Sequence, residues 1–368
     1  MKRHLNTLFV QTQGAYLRKD GEAVSVRIED QTALRVPLHQ LDGIVTFGQV
    51  SASPFLHGAC AEAGVSFSML TRNGRFLAAV QGFTPGNVLL RREQYRRADD
   101  PEASLELARP MVAAKIANLR TVLLRAARDH PQPPVGEDSR NTANGELSDL
   151  QTEEERRQNL SSPAADSARR MRSDAESAMT AASLEELRGI EGEAAATYFR
   201  SFDAMLTAQQ QVFAFGQRSR RPPMNPCNAL LSFLYTLLAH DYRSACESVG
   251  LDAQSGFLHR NRPGRPSLAL DLMEALRPVL ADRLALSLIN RQQVKAAGFT
   301  TTEAGGVTMT PATRKIVLAA WQKRKQDELQ HPFLGEKIQL GLLPHVQARL
   351  LARTLRGDHD FYPEYVWR

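Results

Sequence analysis

The sequence predicts an α+β protein, with an N-terminal β-rich domain over residues 1–95 and a larger all-α domain over residues 96–368. Short runs alternating apolar and polar residues recur as far as Gln81, parted by turn signals such as Asp20-Gly21 and Asn73-Gly74. From about Leu89 the apolar spacing changes to three and four and keeps that period almost to the end. At 368 residues the chain is long enough to bury two cores.

In order, strands are expected at 6–11, 15–18, 23–29, 34–37 and 43–47. A short helix follows from Pro54 to Ala63, ended by Gly64. Further strands run from Val65 to Leu70 and from Phe76 to Gln81. Leu89–Arg97 and Leu105–Ala127 carry helical spacing. Between Pro131 and Ser183 there is no Phe, Tyr or Trp, and Pro, Ser, Asn and charged residues dominate. That composition predicts a polar, mobile insert at about 131–182: a loop to Ser162 with a frayed helix near Glu153, then a weak polar helix.

Ser183 with Glu186 forms a capping box, so a helix is expected from Leu184. Its apolar face is Leu187, Ile190, Ala194 and Tyr198. Gly189 and Gly192 bracket Glu191, and each costs about 1 kcal/mol in a helix interior relative to Ala. Such a cost is easiest to understand if a packed helix or a ligand approaches the backbone there. A basic loop, Arg218–Pro226, leads into a buried helix to Tyr242 that Asn228 is placed to cap. His259 lies in an Arg- and Pro-rich loop, and a helix beginning near Ser267 carries Asp271 and Glu274 three residues apart on one face. That helix should kink at Pro278 and run to about Ile289. Helices are expected again at 310–329 and 331–356, with turns between. Tyr362 and Trp367 in the tail pack on the body or meet a partner.

Composition removes several function classes. No apolar run is long enough to cross a membrane, and Met1-Lys2-Arg3-His4 does not open a signal peptide, so a cytoplasmic location is expected. Cys60, Cys227 and Cys246 form no C-x-x-C pair, which argues against a zinc ribbon or disulfide framework. Neither G-x-G-x-x-G nor a Walker lysine loop is present. Net charge is +6, with the positive charge clustered, notably at Arg220-Arg221 and at Arg260, Arg262 and Arg265 around His259. Arginine forks suit phosphate oxygens. His331, His345 and His359 form no ligand set and are read as structural or solvent-facing.

One imidazole with two or three carboxylates makes a hard, thiol-free donor set suited to Mn²⁺ or Mg²⁺. On spacing alone the same residues also read as ordinary exposed acids and a loop histidine. Glu193 rivals Glu191 but points about 200° away around the helix, which makes it the solvent-side acid.

Taken together, G-I-E-G ending in Tyr198-Phe199, R-R-P-P-M-N-P-C-N-A-L-L-S-F-L-Y, L-H-R-N-R-P-G-R-P and S-L-A-L-D-L-M-E resemble the motifs of the spacer-acquisition integrases, CRISPR-associated protein one, in a type I-C-like form. The likeness runs from Leu5 to Trp367 apart from the polar insert. It implies a β-rich dimerisation domain and a helical catalytic domain. It implies metal ligation by Glu191, His259 and Glu274, with Asp271 a fourth ligand through water or part of a second-metal site. Asn228 lies near the metal without ligating it. Arg221, Arg260, Arg262 and Arg265 are the expected DNA-binding residues.

The implied activity is metal-dependent DNA cleavage and 3′-hydroxyl transesterification that inserts short foreign DNA into a CRISPR array, for antiviral defence. The implied partners are double-stranded and branched DNA, a second copy of the chain, and the small second spacer-acquisition protein. His259 must be neutral to ligate, so activity should fall at acid pH. Asn225 and Asn261 stand where Asp is usual and Ala275 where another acid is common; none is a proposed ligand. Two other readings are a non-catalytic DNA-binding or architectural protein and a general metal-dependent nuclease without integration.

Overall fold

The protein is described from a computed structural model that covers residues 6–72, 76–80, 82, 88–129 and 163–367. The β-rich N-terminal region holds two four-stranded sheets. The first orders β1 (Thr7–Val10), β5 (Gly43–Phe47), β7 (Ser66–Leu70) and β8 (Phe76–Val80), with β1, β5 and β7 parallel and β8 antiparallel. The second orders β4 (Gln31–Pro37), β3 (Ala23–Ile28), β2 (Tyr16–Asp20) and the two-residue β6 (Ser51–Ala52). Helix α1 (Pro54–Ala63) starts on the Ser53 hydroxyl, which accepts from Leu56 N, and stops at Gly64 in the left-handed region at φ 67°. The expected strands and this helix are present, with β6 added. The Asn73-Gly74 turn lies outside the described residues.

A mainly helical domain follows: α2 (Val88–Asp99), α3 (Pro101–Asp129), α4 (Pro163–Thr180), α5 (Leu184–Arg200), α6 (Gln210–Phe213), α7 (Pro226–Ser248), α8 (Ser267–Met273), α9 (Arg283–Asn290), α10 (Pro311–Lys325) and α11 (Leu343–Leu355). The insert expected at 131–182 needs a correction. Its loop, with the helix near Glu153, lies outside the described residues; the helix expected after it is present at 163–180, but it is not mobile surface, since its Ala164, Ala165, Ala168, Met171 and Ala178 are buried in the main core. Alanine is the strongest helix former, and a face of small residues lets α4 lie close along α3. Few large apolar residues were needed, so composition alone read it as mobile.

Other departures have local causes. The chain does not run as one kinked helix through Pro278. α8 ends at Met273, and the backbone re-forms as a π-helical turn over Arg277–Asp282 before α9. Pro278 lacks the N–H that an α-helix would use, and the wider turn accommodates the loss. The expected 310–329 and 331–356 helices shorten to α10 and α11. Between them Glu328–Gln330 and Lys337–Gln339 pair as a hairpin, matching another formed by Phe299–Thr301 and Val307–Met309.

Two cores support the fold. A smaller one joins Leu17, Val24, Ile44, Leu56 and Phe67 in the β-rich region. The larger one fills the helical domain and includes Phe47 of β5, whose ring stands 6.1 Å from that of Phe233 in α7. The tail packs on the body: Tyr362 and Tyr365 are buried, and the Arg125 and Arg283 guanidiniums lie 3.7 and 4.6 Å from the Trp367 ring centroid. Among the described residues no helix is long and apolar enough to cross a membrane.

Candidate active site

Three elements bring the proposed residues together. Ser183 caps α5, its hydroxyl accepting from Glu186 N, and the carboxylate of Glu186 accepts from Ala182 N. With its start pinned, α5 buries Leu187, Ala194 and Tyr198 and turns Glu191 inward. Glu193 faces solvent and pairs with Arg200 at 3.0 Å. Gly189 and Gly192 are exposed, and a Cβ at either would meet nothing within 4 Å. No packed helix explains them, contrary to one of the two reasons expected.

The loop carrying His259 is held by Asp271 of α8. Asp271 Oδ2 accepts from Phe257 N at 2.6 Å and Leu258 N at 3.0 Å; Oδ1 accepts from His259 N at 3.0 Å and lies 2.5 Å from His259 Nδ1. A carboxylate saturated by four such contacts is a positioning group. Asp271, expected as a fourth ligand through water or part of a second-metal site, has both buried oxygens on the loop amides and the imidazole. Gly256 makes this possible: a Cβ there would stand 2.6 Å from Asp271 Oδ2 and 2.8 Å from the Ser267 carbonyl carbon. Arg188 of α5 closes the arrangement by donating to Leu258 O at 2.8 Å.

With Nδ1 turned to Asp271, His259 Nε2 faces Glu274 Oε1 at 3.9 Å. Glu274 is 3 % exposed and surrounded by cations: Arg277 Nη1 at 2.7 Å from Oε1 and Lys115 Nζ at 2.6 Å from Oε2. Burial works against its charge, but Arg277, Lys115 and His259 outweigh it and hold the carboxyl well below the usual range. Lys115 also pairs with Glu191, so one ammonium bridges the two glutamates. Among the described residues no group of three or more His, Cys, Asp or Glu is spaced as a metal cage.

Lys115 was missed in the sequence, yet it left a signal. It falls on the buried stripe Ala108, Met111, Lys115, Asn118, Val122 of α3 at spacings of three and four. A lysine and an asparagine inside such a stripe must have partners. Asn118 has them, donating to Ala275 O at 2.7 Å and accepting from Trp367 N at 2.7 Å. Ala275 is fully buried beside this contact, and a further acid there would be buried as well.

A family model described as CRISPR associated protein Cas1 matches residues 8–323. The chain belongs to the Cas1 family. It is 51% identical over 368 residues to "CRISPR-associated endonuclease Cas1 1" of Chlorobaculum tepidum, covering all of both chains. It is 50% identical over 369 residues to "CRISPR-associated endonuclease Cas1 2" of Rhodospirillum rubrum, again covering both. The fold is shared with a Cas1 protein of Thermotoga maritima (TM-score 0.76, 20% identity, 98% of this chain and 99% of that one). It is shared too with a casposase bound to integration product (TM-score 0.77, 21% identity, 98% and 94%). A Cas6-RT-Cas1–Cas2 complex contains the same fold (TM-score 0.75, 22% identity, 99% of this chain and 36% of that one). The relatives matched over the full length are described as CRISPR-associated Cas1 endonucleases, and the expected α+β organisation is observed.

In this Cas1 protein two loops gather arginines beside the centre. Burial and neighbouring Arg262, with Arg220 and Arg221 adding, lower the Arg265 pKa, which places the 218–225 and 259–266 loops in one basic neighbourhood. Arg221, Arg260 and Arg262 are exposed, and Arg260 stands 3.8 Å from Glu185. Asn228 does not cap α7. Asn225 does, accepting from Asn228 N at 2.7 Å and donating to Phe215 O at 2.9 Å, a donor that Asp would lack. The buried Asn228 side chain instead accepts from Arg218 Nη1 at 2.7 Å and donates to Gln217 O at 2.9 Å, bracing the basic loop. It reaches the centre only indirectly: Arg218 and Arg277 lie over Tyr235, at 5.4 and 5.1 Å from its ring centroid.

Proposed function

We propose that Glu191, His259 and Glu274 hold a catalytic Mn²⁺ or Mg²⁺ on which DNA cutting and joining by this Cas1 protein depend. The observation that carries the proposal is the dyad behind it. His259 Nδ1 is committed to Asp271, leaving Nε2 turned toward Glu274 Oε1 at 3.9 Å. An imidazole nitrogen and a carboxylate oxygen that face one another are donors that would hold such a cation. Glu274 Oε2 is buried with no hydrogen-bond partner of good geometry, facing only the Lys115 ammonium. A buried acid oxygen, an oriented imidazole and the Glu191 carboxylate form the hard donor set such ions take.

When bound, the ion supplies positive charge to a phosphoryl oxygen and to the leaving oxygen. The protein's residues do the rest. Asp271 holds the imidazole in the tautomer whose Nε2 lone pair is available. Glu191 and His259 are 27% and 22% exposed at their side chains and Glu274 is 3%, so DNA approaches from the Glu191–His259 side. On that side Arg221, Arg260, Arg262 and Arg265 bind the backbone of double-stranded or branched DNA. A captured 3′-hydroxyl is the attacking group in joining, and water is in cutting. The chain acts as a homodimer through its β-rich region, with the small second spacer-acquisition protein as partner, in the cytoplasm. The Cas1–Cas2 complex among the shared folds supports that partner. The type I-C-like placement is part of the same resemblance.

The test incubates the protein and its small partner with short duplexes and a plasmid carrying leader and repeat, in Mn²⁺, Mg²⁺ or EDTA. Joined product that needs the ion and disappears in Glu191→Ala and His259→Ala is expected. Joining that persists in either variant, or in EDTA, would refute the assignment of these ligands.

A further inference from the structure

The cations around Glu274 differ in kind. Arg277 is fixed: its guanidinium lies over the Tyr235 ring and against Glu274 Oε1, on a π-helical turn packed into the core. Lys115 is a single ammonium on a four-carbon stem, 7% exposed at its side chain, touching one carboxylate from each of two separate helical segments. It reaches Glu274 Oε2 and Glu191 Oε1, one oxygen of each of two proposed ligands. Two carboxylates facing each other in a largely buried space repel, and one ammonium between them removes the repulsion. A divalent ion would do the same with twice the charge. Ammonium and divalent ion beside one another would repel in turn, since burial weakens screening between them.

We propose that Lys115 is a positioning residue of the centre: its ammonium holds Glu191 and Glu274 together and competes with the divalent cation for their oxygens. Its flexible stem contrasts with the planar, stacked guanidinium of Arg277. In this arrangement the acids are kept at ligand spacing by an internal cation, and ion entry is an exchange of cations with little rearrangement of the backbone. The inference rests on the ligand assignment proposed above.

Calorimetric titration of the full-length chain with Mn²⁺ tests it, comparing wild type with Lys115→Gln and Lys115→Arg. Lys115→Gln removes the competing charge and should bind Mn²⁺ at least tenfold more tightly, with a larger rise in melting temperature on adding the ion. Lys115→Arg keeps the charge and should bind no more tightly than wild type. A merely structural lysine would lower the melting temperature of Lys115→Gln without tightening the ion, and that outcome overturns the proposal. Should Lys115→Gln fail to fold, amine labelling of wild type read by mass spectrometry decides. Labelling at Lys115 that rises severalfold with Mg²⁺ supports exchange, and unchanged labelling refutes it. No Mn²⁺ binding by wild type would overturn both this inference and the ligand assignment. Binding with equal affinity in wild type and Lys115→Gln would overturn this one alone.

Discussion

Glu274 and Glu364 are both buried glutamates in the helical domain, and their surroundings drive them in opposite directions. Glu274 sits among Arg277, Lys115 and His259, and these outweigh burial to keep it ionised. Glu364, in the docked tail, meets only neutral donors, with Gln347 Nε2 at 2.6 Å and Tyr365 N at 2.9 Å on Oε1. There burial prevails, and the carboxyl is pushed up to about 7. Asp282 resembles Glu364 more than Glu274. It accepts from Tyr235 at 2.6 Å, and burial pushes it up to about 6 despite Arg277 and Arg218 nearby. Burying an acid therefore does not make a metal site. What separates the centre from the tail is counter-charge matched to the acid, with an imidazole turned toward it.

Removing the acid from each environment should break this comparison most visibly. Glu274→Ala leaves Arg277 and Lys115 without their shared carboxylate, and a loss of about 3–5 kcal/mol is expected in denaturant unfolding. A loss under about 1 kcal/mol would mean that the cations are solvated in another way. Asp271→Asn is the next largest. It keeps the shape but cannot accept at both oxygens from the loop amides and the imidazole, so Mn²⁺ affinity should fall about 10–100-fold. Unchanged affinity would show that the imidazole is oriented without Asp271.

Gly256→Ala probes the same loop through the backbone. The added methyl meets Asp271 and Ser267, and a destabilisation of about 1–3 kcal/mol is expected, with weaker Mn²⁺ binding. Glu364→Gln should act with the opposite sign. Because the folded-state carboxyl lies above the ordinary 4.5, the folded chain holds the proton between about 4.5 and about 7. Stability is therefore full below that window and is lost as pH rises through it. Glu364→Gln should be more stable than wild type by up to about 3 kcal/mol at pH 8. The difference should close below pH 4.5, and a pH-independent difference would refute the burial argument.

Local chemistry in the sequence accounted for much of the fold. Ser183 and Glu186 start α5, Ser53 and Gly64 bound α1, and Gly43–Phe47 forms a wholly buried strand inside a sheet. Each depends on residues within a few positions of one another, so each can be read without the rest of the chain. Glu191, His259 and Glu274 were singled out by the motifs that carry the family resemblance, while spacing alone left them ordinary; the fold brings them near one another. Where a local rule had a competitor, it failed: Pro278 led to a π-turn instead of a kink, and Asn225 took the cap assigned to Asn228.

Roles within the centre were decided by tertiary structure. Asp271 and Glu274 are three residues apart and chemically alike, yet one binds a loop and the other faces two cations. Nothing along the helix distinguishes them, because the loop amides and Lys115 arrive from elsewhere in the chain. Lys115 stands 76 positions before Glu191, and its ion pairs exist only once α3 has packed beside α5 and α8. The sequence by itself determined most of the elements and which groups have the chemistry of candidate ligands. Packing decided which oxygens remain available, because burial and counter-charge are properties of neighbours that are distant along the chain.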